Sequence, residues 1–347
     1  MNSRERMCKV LNRERPDRVP TFEYAIDGKI VEAICPGGTY ADVVEFLGLD
    51  GITAFEPSPG GYVAGMADRL KPGETFVDEW GVKRMATGEM SGYPMETDVP
   101  IRNETDLRNF VPPDPKNPNR YDLLRQYVRR FHGEKLVSYS IRDTFGTSET
   151  LMGLNEYLIA FQERPQLIRK LYEMTTDWVI EVAKEAIDSG ADMIILNSDL
   201  AYKDGTWVHP GLMEELLAPC LKRAVEAIKK RRAYAFKHTH GNVWKILEML
   251  VNTGLDALHP FATEDGMDIV TVKNLFGRKI AIAGNISTDV LTRASREDVV
   301  RLTRETLSKT SADGGFILMA SSSIYSGVNP DNYRAMVETV QRFGQYR

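Results

Sequence analysis

Eight short runs of apolar and β-branched residues, separated by amphipathic helical stretches, constrain the fold of this chain more than any other feature. They lie at residues 19–24, 51–56, 136–141, 192–197, 234–238, 257–261, 279–284 and 315–320. Most are continuously hydrophobic rather than alternating, as parallel strands buried on both faces require. The gaps carry helix signals. Residues 166–188 are periodic and are followed by Gly190. Residues 210–231 open on a proline and close on Lys and Arg, and 242–252 stop before Gly254. Ser295 and an acidic first turn open the helix over 299–308. Strand–helix alternation repeated eight times predicts an α/β fold, a (β/α)₈ TIM barrel, as one domain over residues 1–347. No glycine-rich fingerprint follows the first run, which argues against an open doubly wound sheet.

One stretch interrupts the alternation. Residues 62–119, between the second and third strands, are long and rich in Pro and Gly. Within them, 75–90 reads as a β-hairpin, and 111–118 as a stiff, proline-rich extended segment. Such an insertion is expected to cover the C-terminal mouth of the barrel, where barrel enzymes keep their chemistry.

The formal charge of −5 is mild and spread along the chain, which excludes nucleic acid as the main partner. The single basic run, Lys229 to Arg232, ends a predicted helix and complements its negative pole. Cys8, Cys35 and Cys220 share no close spacing, so a disulfide framework is excluded and a reducing compartment is expected. Cys220 follows Pro219 on an amphipathic helix and reads as buried packing. With a polar N-terminus and no apolar run of membrane-spanning length, the expected location is the cytoplasm.

Functional groups gather just after the strands. Glu23 and Tyr24 follow the first, Arg142 and Asp143 the third, and Asn197, Ser198, Asp199 and then Tyr202 the fourth. The fifth contributes His238 and His240, the sixth His259, the seventh Asn285, and the eighth Ser321 to Ser323. His238 and His240 are the sharpest pair, because residues i and i+2 of a strand point to one side. Two imidazoles so placed can share a metal ion, with Asp199 or His259 completing the site. The alternatives are anion recognition and acid–base work, since imidazole titrates near neutrality. Glu23, Asp143 and Tyr202 are the candidate catalytic groups. Tyr24, Arg142, Asn197, Asn285 and Ser322 are the candidate substrate contacts. Glu23 is read as a base, a ligand or the partner of Arg142, while Asp78, Glu79 and Trp80 read as turn and packing residues.

The chain resembles the uroporphyrinogen decarboxylase superfamily, which includes the decarboxylase and zinc-dependent, corrinoid-linked methyltransferases. The resemblance rests on Arg4-Glu-Arg-Met, Pro16-Asp-Arg-Val-Pro20, Asp78-Glu-Trp-Gly81 and Pro112-Pro-Asp-Pro. It continues through Gly190-Ala-Asp-Met, Phe236-Lys-His-Thr-His-Gly-Asn242, Gly284-Asn-Ile and Asn329-Pro-Asp-Asn332. It implies the same barrel. The decarboxylase carries an arginine-rich segment after the first strand and an Asp after the second. Here those stretches read Thr21-Phe-Glu-Tyr-Ala-Ile-Asp and Ala54-Phe-Glu-Pro. A substrate with many carboxylates needs cationic partners, so porphyrinogen decarboxylation is not expected.

The methyltransferase branch shows His-X-Cys-Gly-Asn after the fifth strand and a further Cys after the eighth. His238 matches the His, His240 replaces the first Cys, and Ser322 stands near the second. The resemblance thus implies a methyltransferase moving a methyl group between a small substrate and a corrinoid protein or other carrier. It further implies zinc, here in a harder nitrogen–oxygen donor set. The corrinoid would be carried by a separate partner. A lyase acting on a small carboxylate and a non-catalytic binding barrel are the competing readings, and a homodimer stays open.

Overall fold

The computed structural model describes residues 1–57, 71–87, 94–131 and 133–346. Among them, seven strands form one parallel sheet: β1 (Gly51–Phe55), β5 (Leu136–Arg142), β6 (Met193–Asn197), β9 (Tyr234–His238), β10 (Ala257–His259), β11 (Ala281–Ile286) and β12 (Phe316–Ala320), in that spatial order. Each pairs in parallel with its neighbours, and helices fill the connections. The sheet curls as in a TIM-like barrel. Seven of the eight expected strands are therefore present, with ends within two residues or so of those expected.

The first run behaves differently. Residues 19–26 form no regular strand, but they hydrogen-bond to both edges of the sheet. Leu318 N donates to Pro20 O at 3.0 Å and Asp50 N to Thr21 O at 2.8 Å, and Thr21 bridges Leu318 in parallel. Pro20 has no N–H to offer a ladder, which keeps the pairing intermittent. The sixth strand stops at His259 because Pro260 likewise cannot donate. The seventh runs to Ile286, which brings Asn285 inside it.

Alternation along the strands divides the apolar residues into two cores. Phe22, Met193, Ile195, Phe236, Ala283, Ile317 and Met319 pack together inside the curl. Their strand neighbours Ile194, Leu196, Ile282 and Leu318 face the helices. That two-sided burial explains the unbroken hydrophobic runs. The helical stretch from Pro210 to Lys230 contains a π-helical turn, Met213–Leu217, just before Pro219. A widened turn accommodates the carbonyl that a proline ring would otherwise meet.

In the insertion, β2 (Thr75–Val77), β3 (Lys83–Met85) and β4 (Met95–Asp98) form an antiparallel sheet. The hairpin is expected over 75–90; β2 and β3 pair within that range, and residues 58–70 and 88–93 lie outside the described residues. Asp78 makes the turn: its Oδ1 accepts from Trp80 N at 2.9 Å and Val82 N at 3.0 Å, and Oδ2 from Arg84 Nε at 2.9 Å. Trp80 is buried against Trp178 and Phe110, with ring centroids 4.6 and 6.1 Å away. Cys220 is buried, as expected of a packing residue. No described helix is long and apolar enough to cross a membrane.

Candidate active site

Strand register places four of the expected residues in one row at the C-terminal end of the sheet. Arg142 pairs with Asn197, Asn197 with His238, and His238 with His259. Residues paired across parallel strands share a face. Tyr24 reaches the row from the irregular first segment. Its ring stacks on His238, with centroids 4.8 Å apart and planes 5° from parallel, and its hydroxyl accepts a hydrogen bond from Asn197 Nδ2.

The two histidines of the row are hydrogen-bonded to each other, Nδ1 to Nδ1, at 2.8 Å. His259 Nε2 lies 2.8 Å from the carbonyl of Ala320, which can only accept. His259 therefore carries its proton on Nε2 and accepts on Nδ1, so His238 donates from Nδ1 and keeps a lone pair on Nε2. Burial lowers both basicities, pushing His259 down to about 3 and His238 well below its ordinary value. Both are neutral imidazoles near pH 7.

His240 is shifted the opposite way. Its ring stands edge-on to His238, with centroids 5.2 Å apart. Nδ1 lies 3.4 Å from Asp265 Oδ2, which also accepts from Gly241 N at 3.0 Å. Burial opposes protonation, but the Asp265 hydrogen bond and the charges of Asp199, Asp265 and Glu264 outweigh it, so the His240 pKa is raised. Its Nε2 is buried without a hydrogen-bond partner among the described residues. Gly241 takes φ +92°, and a Cβ there would strike the Ala201 backbone at 2.3 Å, so the turn after β9 requires glycine.

The remaining expected residues separate into those near this row and those elsewhere. Arg142 donates from Nε to Gly146 O at 2.9 Å and from Nη2 to Glu149 at 2.7 Å, while Nη1 makes no hydrogen bond among the described residues. Asn285 is buried and donates to Phe261 O at 2.8 Å, tying down the segment after β10. Ser322 is half-buried beside Ser321, whose hydroxyl binds Glu264 at 2.8 Å. Tyr202 lies on a small hairpin, β7 (Ala201–Tyr202) with β8 (Gly205–Thr206), and packs its exposed ring on Trp207.

Two carboxylates are bound up with the backbone and with other side chains. Glu23 alternates with Phe22 and Tyr24, both of which face the inner core, so its own side chain points the other way. It is buried, accepts from Ala320 N at 3.2 Å, and has its pKa raised by burial. Asp143 is buried and ion-paired with buried Lys237 at 2.8 Å, accepts from Ser198 Oγ at 2.7 Å, and caps the helix Thr144–Met152. Both belong to the barrel wall. Lys237 and Asp265 escaped the sequence reading, Lys237 inside a strand and Asp265 in a polar turn after β10 where nothing distinguishes a partner from a turn residue.

A metal needs converging lone pairs. His259 has none to give, since both ring nitrogens are hydrogen-bonded. Asp199 is exposed, and its Oδ1 accepts from His240 N at 2.8 Å. No group of three or more His, Cys, Asp or Glu stands as a metal site among the described residues. The set His238, His240, Asp199 and His259 does not fit zinc as expected from the sequence. What the site offers is two adjacent imidazoles whose Nε2 atoms make no hydrogen bond among the described residues, one with lowered and one with raised basicity.

Similarity to known proteins agrees with this architecture. The solved structure of a methyltransferase from Methanosarcina mazei superposes with a TM-score of 0.73 over 99% of both chains, at 16% identity. A B12-independent methionine synthase from Shewanella sp. W3-18-1 superposes with a TM-score of 0.55 over 95% of this chain and 94% of its own, at 12% identity. At such identities these likenesses establish the fold. Among curated proteins, the uroporphyrinogen decarboxylase of Aromatoleum aromaticum is 23% identical over 262 residues, 70% of this chain and 69% of its own. That of Schizosaccharomyces pombe is 22% identical over 216 residues, 60% of this chain and 57% of its own. The uroporphyrinogen decarboxylase (URO-D) family model matches residues 83–343, which covers most of the 347-residue chain. This chain belongs to the uroporphyrinogen decarboxylase family.

Proposed function

We propose that the protein is a methyltransferase of this family, moving a methyl group between a small oxygen-bearing substrate and a separate carrier such as a corrinoid protein. The observation that carries the reading is the imidazole pair, with the basicity of His238 lowered and that of His240 raised, on rings 5.2 Å apart whose Nε2 atoms make no hydrogen bond among the described residues. In methyl transfer from oxygen, the carbon–oxygen bond breaks and its electron pair stays on the oxygen. His240 supplies the proton that oxygen takes up, while the methyl carbon passes to the carrier's nucleophile. His238 Nε2 accepts a hydrogen bond that orients the substrate, and Tyr24 and Asn197 fix the His238 ring. In the reverse direction the His240 base takes the proton back. The full-length likeness to a methyltransferase supports the reading, as does the row's single arginine, already engaged by Glu149. A polycarboxylate would find little cationic surface there.

A second reading is a lyase acting on a small carboxylate. Arg142 favours it, since its Nη1 makes no hydrogen bond among the described residues and it stands in the same row as His238. There, the carbon that loses carbon dioxide would take the His240 proton.

One experiment separates them. The purified protein is offered methyl ethers and alcohols with reduced free cobalamin, and small carboxylates in parallel. Methylcobalamin formation that is lost in His240→Ala supports the first reading. Carbon dioxide release without methyl transfer supports the second, and ligand binding with neither product sinks both.

A further inference from the structure

His238 is not free to choose which of its nitrogens bears the proton, and the residues that decide this lie behind it. The carbonyl of Ala320 faces His259 Nε2 at 2.8 Å, and the N–H of the same residue donates to Glu23 at 3.2 Å. The Ala320 backbone is thus engaged on both sides, by a buried carboxyl from the first segment and a buried imidazole from β10. Because the carbonyl can only accept, His259 Nδ1 is left as an acceptor, and it faces His238 Nδ1 at 2.8 Å. Each bond dictates the polarity of the next.

We infer that His259 is a positioning residue that fixes the His238 tautomer, holding the proton on Nδ1 so that Nε2 presents a lone pair beside His240. The logic is that of an imidazole oriented by a buried acceptor, with an imidazole in the place a carboxylate often takes. A carboxylate there would stabilise the His238 cation. Neutral His259 withholds that help, so His238 stays an acceptor while His240, beside Asp265, serves as the donor. The division of labour within the pair thus comes from two different partners. The inference deepens the acid–base reading of the site and rests on it only for the effect on turnover.

The test reads the tautomer directly. Long-range proton–nitrogen correlation spectra of nitrogen-15 histidine-labelled protein near neutral pH distinguish protonated from bare ring nitrogens. The expected wild-type result is a protonated Nδ1 and a bare Nε2 on His238. In His259→Phe, which keeps an aromatic ring but no acceptor, His238 should show both tautomers. In His259→Gln, whose oxygen can accept from His238 while its amide donates to Ala320, the wild-type pattern should return. With a substrate in hand, kcat should fall about 10–100-fold in the Phe variant with little change in KM, and recover in part in the Gln variant. A wild-type spectrum with a protonated His238 Nε2 overturns the inference, and so does a Phe variant indistinguishable from wild type. The wild-type spectrum needs no variant to fold and no known substrate. The expected tautomer without methyl transfer would therefore sink the proposed reaction alone.

Discussion

At the scale of single residues, the candidate site is a case of identical side chains given different chemistry by their neighbours. His238 and His240 lie two positions apart, yet one is kept neutral by burial and the other is drawn toward its cation by Asp265. The proposed acid works only while His240 is protonated, so kcat/KM should decline as pH rises through its raised pKa. Asp265→Asn removes the carboxylate whose hydrogen bond raises it, so the His240 pKa should fall. The alkaline limb of the profile should move to lower pH in that variant, with a smaller change near the acid end. A profile that stays in place would separate Asp265 from the titration. The spacing of His238 and His240 was legible in the chain, and so was their place at a strand end. Their division into acceptor and donor was not, because Ala320, His259 and Asp265 come from other strands and loops.

At the scale of elements, the insertion after β1 shows how a motif can be correctly located and still be structural. Asp78-Glu-Trp-Gly81 closes a turn and plants Trp80 against Trp178 on the long helix Pro165–Asp188. Arg120 adds a second anchor, pairing with buried Glu56 and with Glu79 at 2.9 Å, its guanidinium over the Trp178 ring. β4 brings Glu96 within electrostatic reach of Arg142 and Glu149, near the mouth. Trp80→Ala should leave a large void under the insertion and cost about 3–5 kcal/mol. Urea denaturation should show this as a lower midpoint, and a loss below about 1 kcal/mol would mean that the insertion is not packed as described. The irregular first segment teaches a related lesson. Its composition reads as a strand, but Pro20 thins the ladder, and closure depends on a few bonds to β12 and to Asp50.

At the scale of the whole molecule, the two ends of the barrel carry different information. Arg6 and Arg18 converge on fully buried Asp50 at 2.7 and 2.8 Å, and Arg6 also binds Asp17 at 2.6 Å. Arg4 binds Asp192, just ahead of β6, at 2.8 Å. The N-terminal helix is thereby tied to the starts of the strands, the end opposite the candidate site. Removing Asp50 would leave the largely buried Arg18 without its carboxylate and Arg6 with Asp17 alone. Asp50→Ala should therefore cost about 3–5 kcal/mol, with the site histidines undisturbed in their spectra. A variant as stable as wild type would show that these arginines find other partners. Several of the segments that made the family legible, Arg4 to Met7, Pro16 to Pro20 and Gly190 to Met193, belong to this lower end. They report how the barrel is closed and say little about which reaction its upper end performs.

The sequence by itself determined the strand–helix alternation and the family. Those features depend on local periodicity and composition, which are written along the chain. Only the tertiary structure decided that Glu23 and Asp143 belong to the wall. It also turned His259 from a candidate ligand into a hydrogen-bond partner, and gave His240 its carboxylate in Asp265. A side chain's role depends on which face of a strand it occupies and on what a distant segment sets against it. An irregular segment such as 19–26 does not declare its face, and partners from other strands meet only when the sheet curls. The proton on His238 is the sharpest instance: its position is set by a carbonyl 82 residues away in the chain, at Ala320.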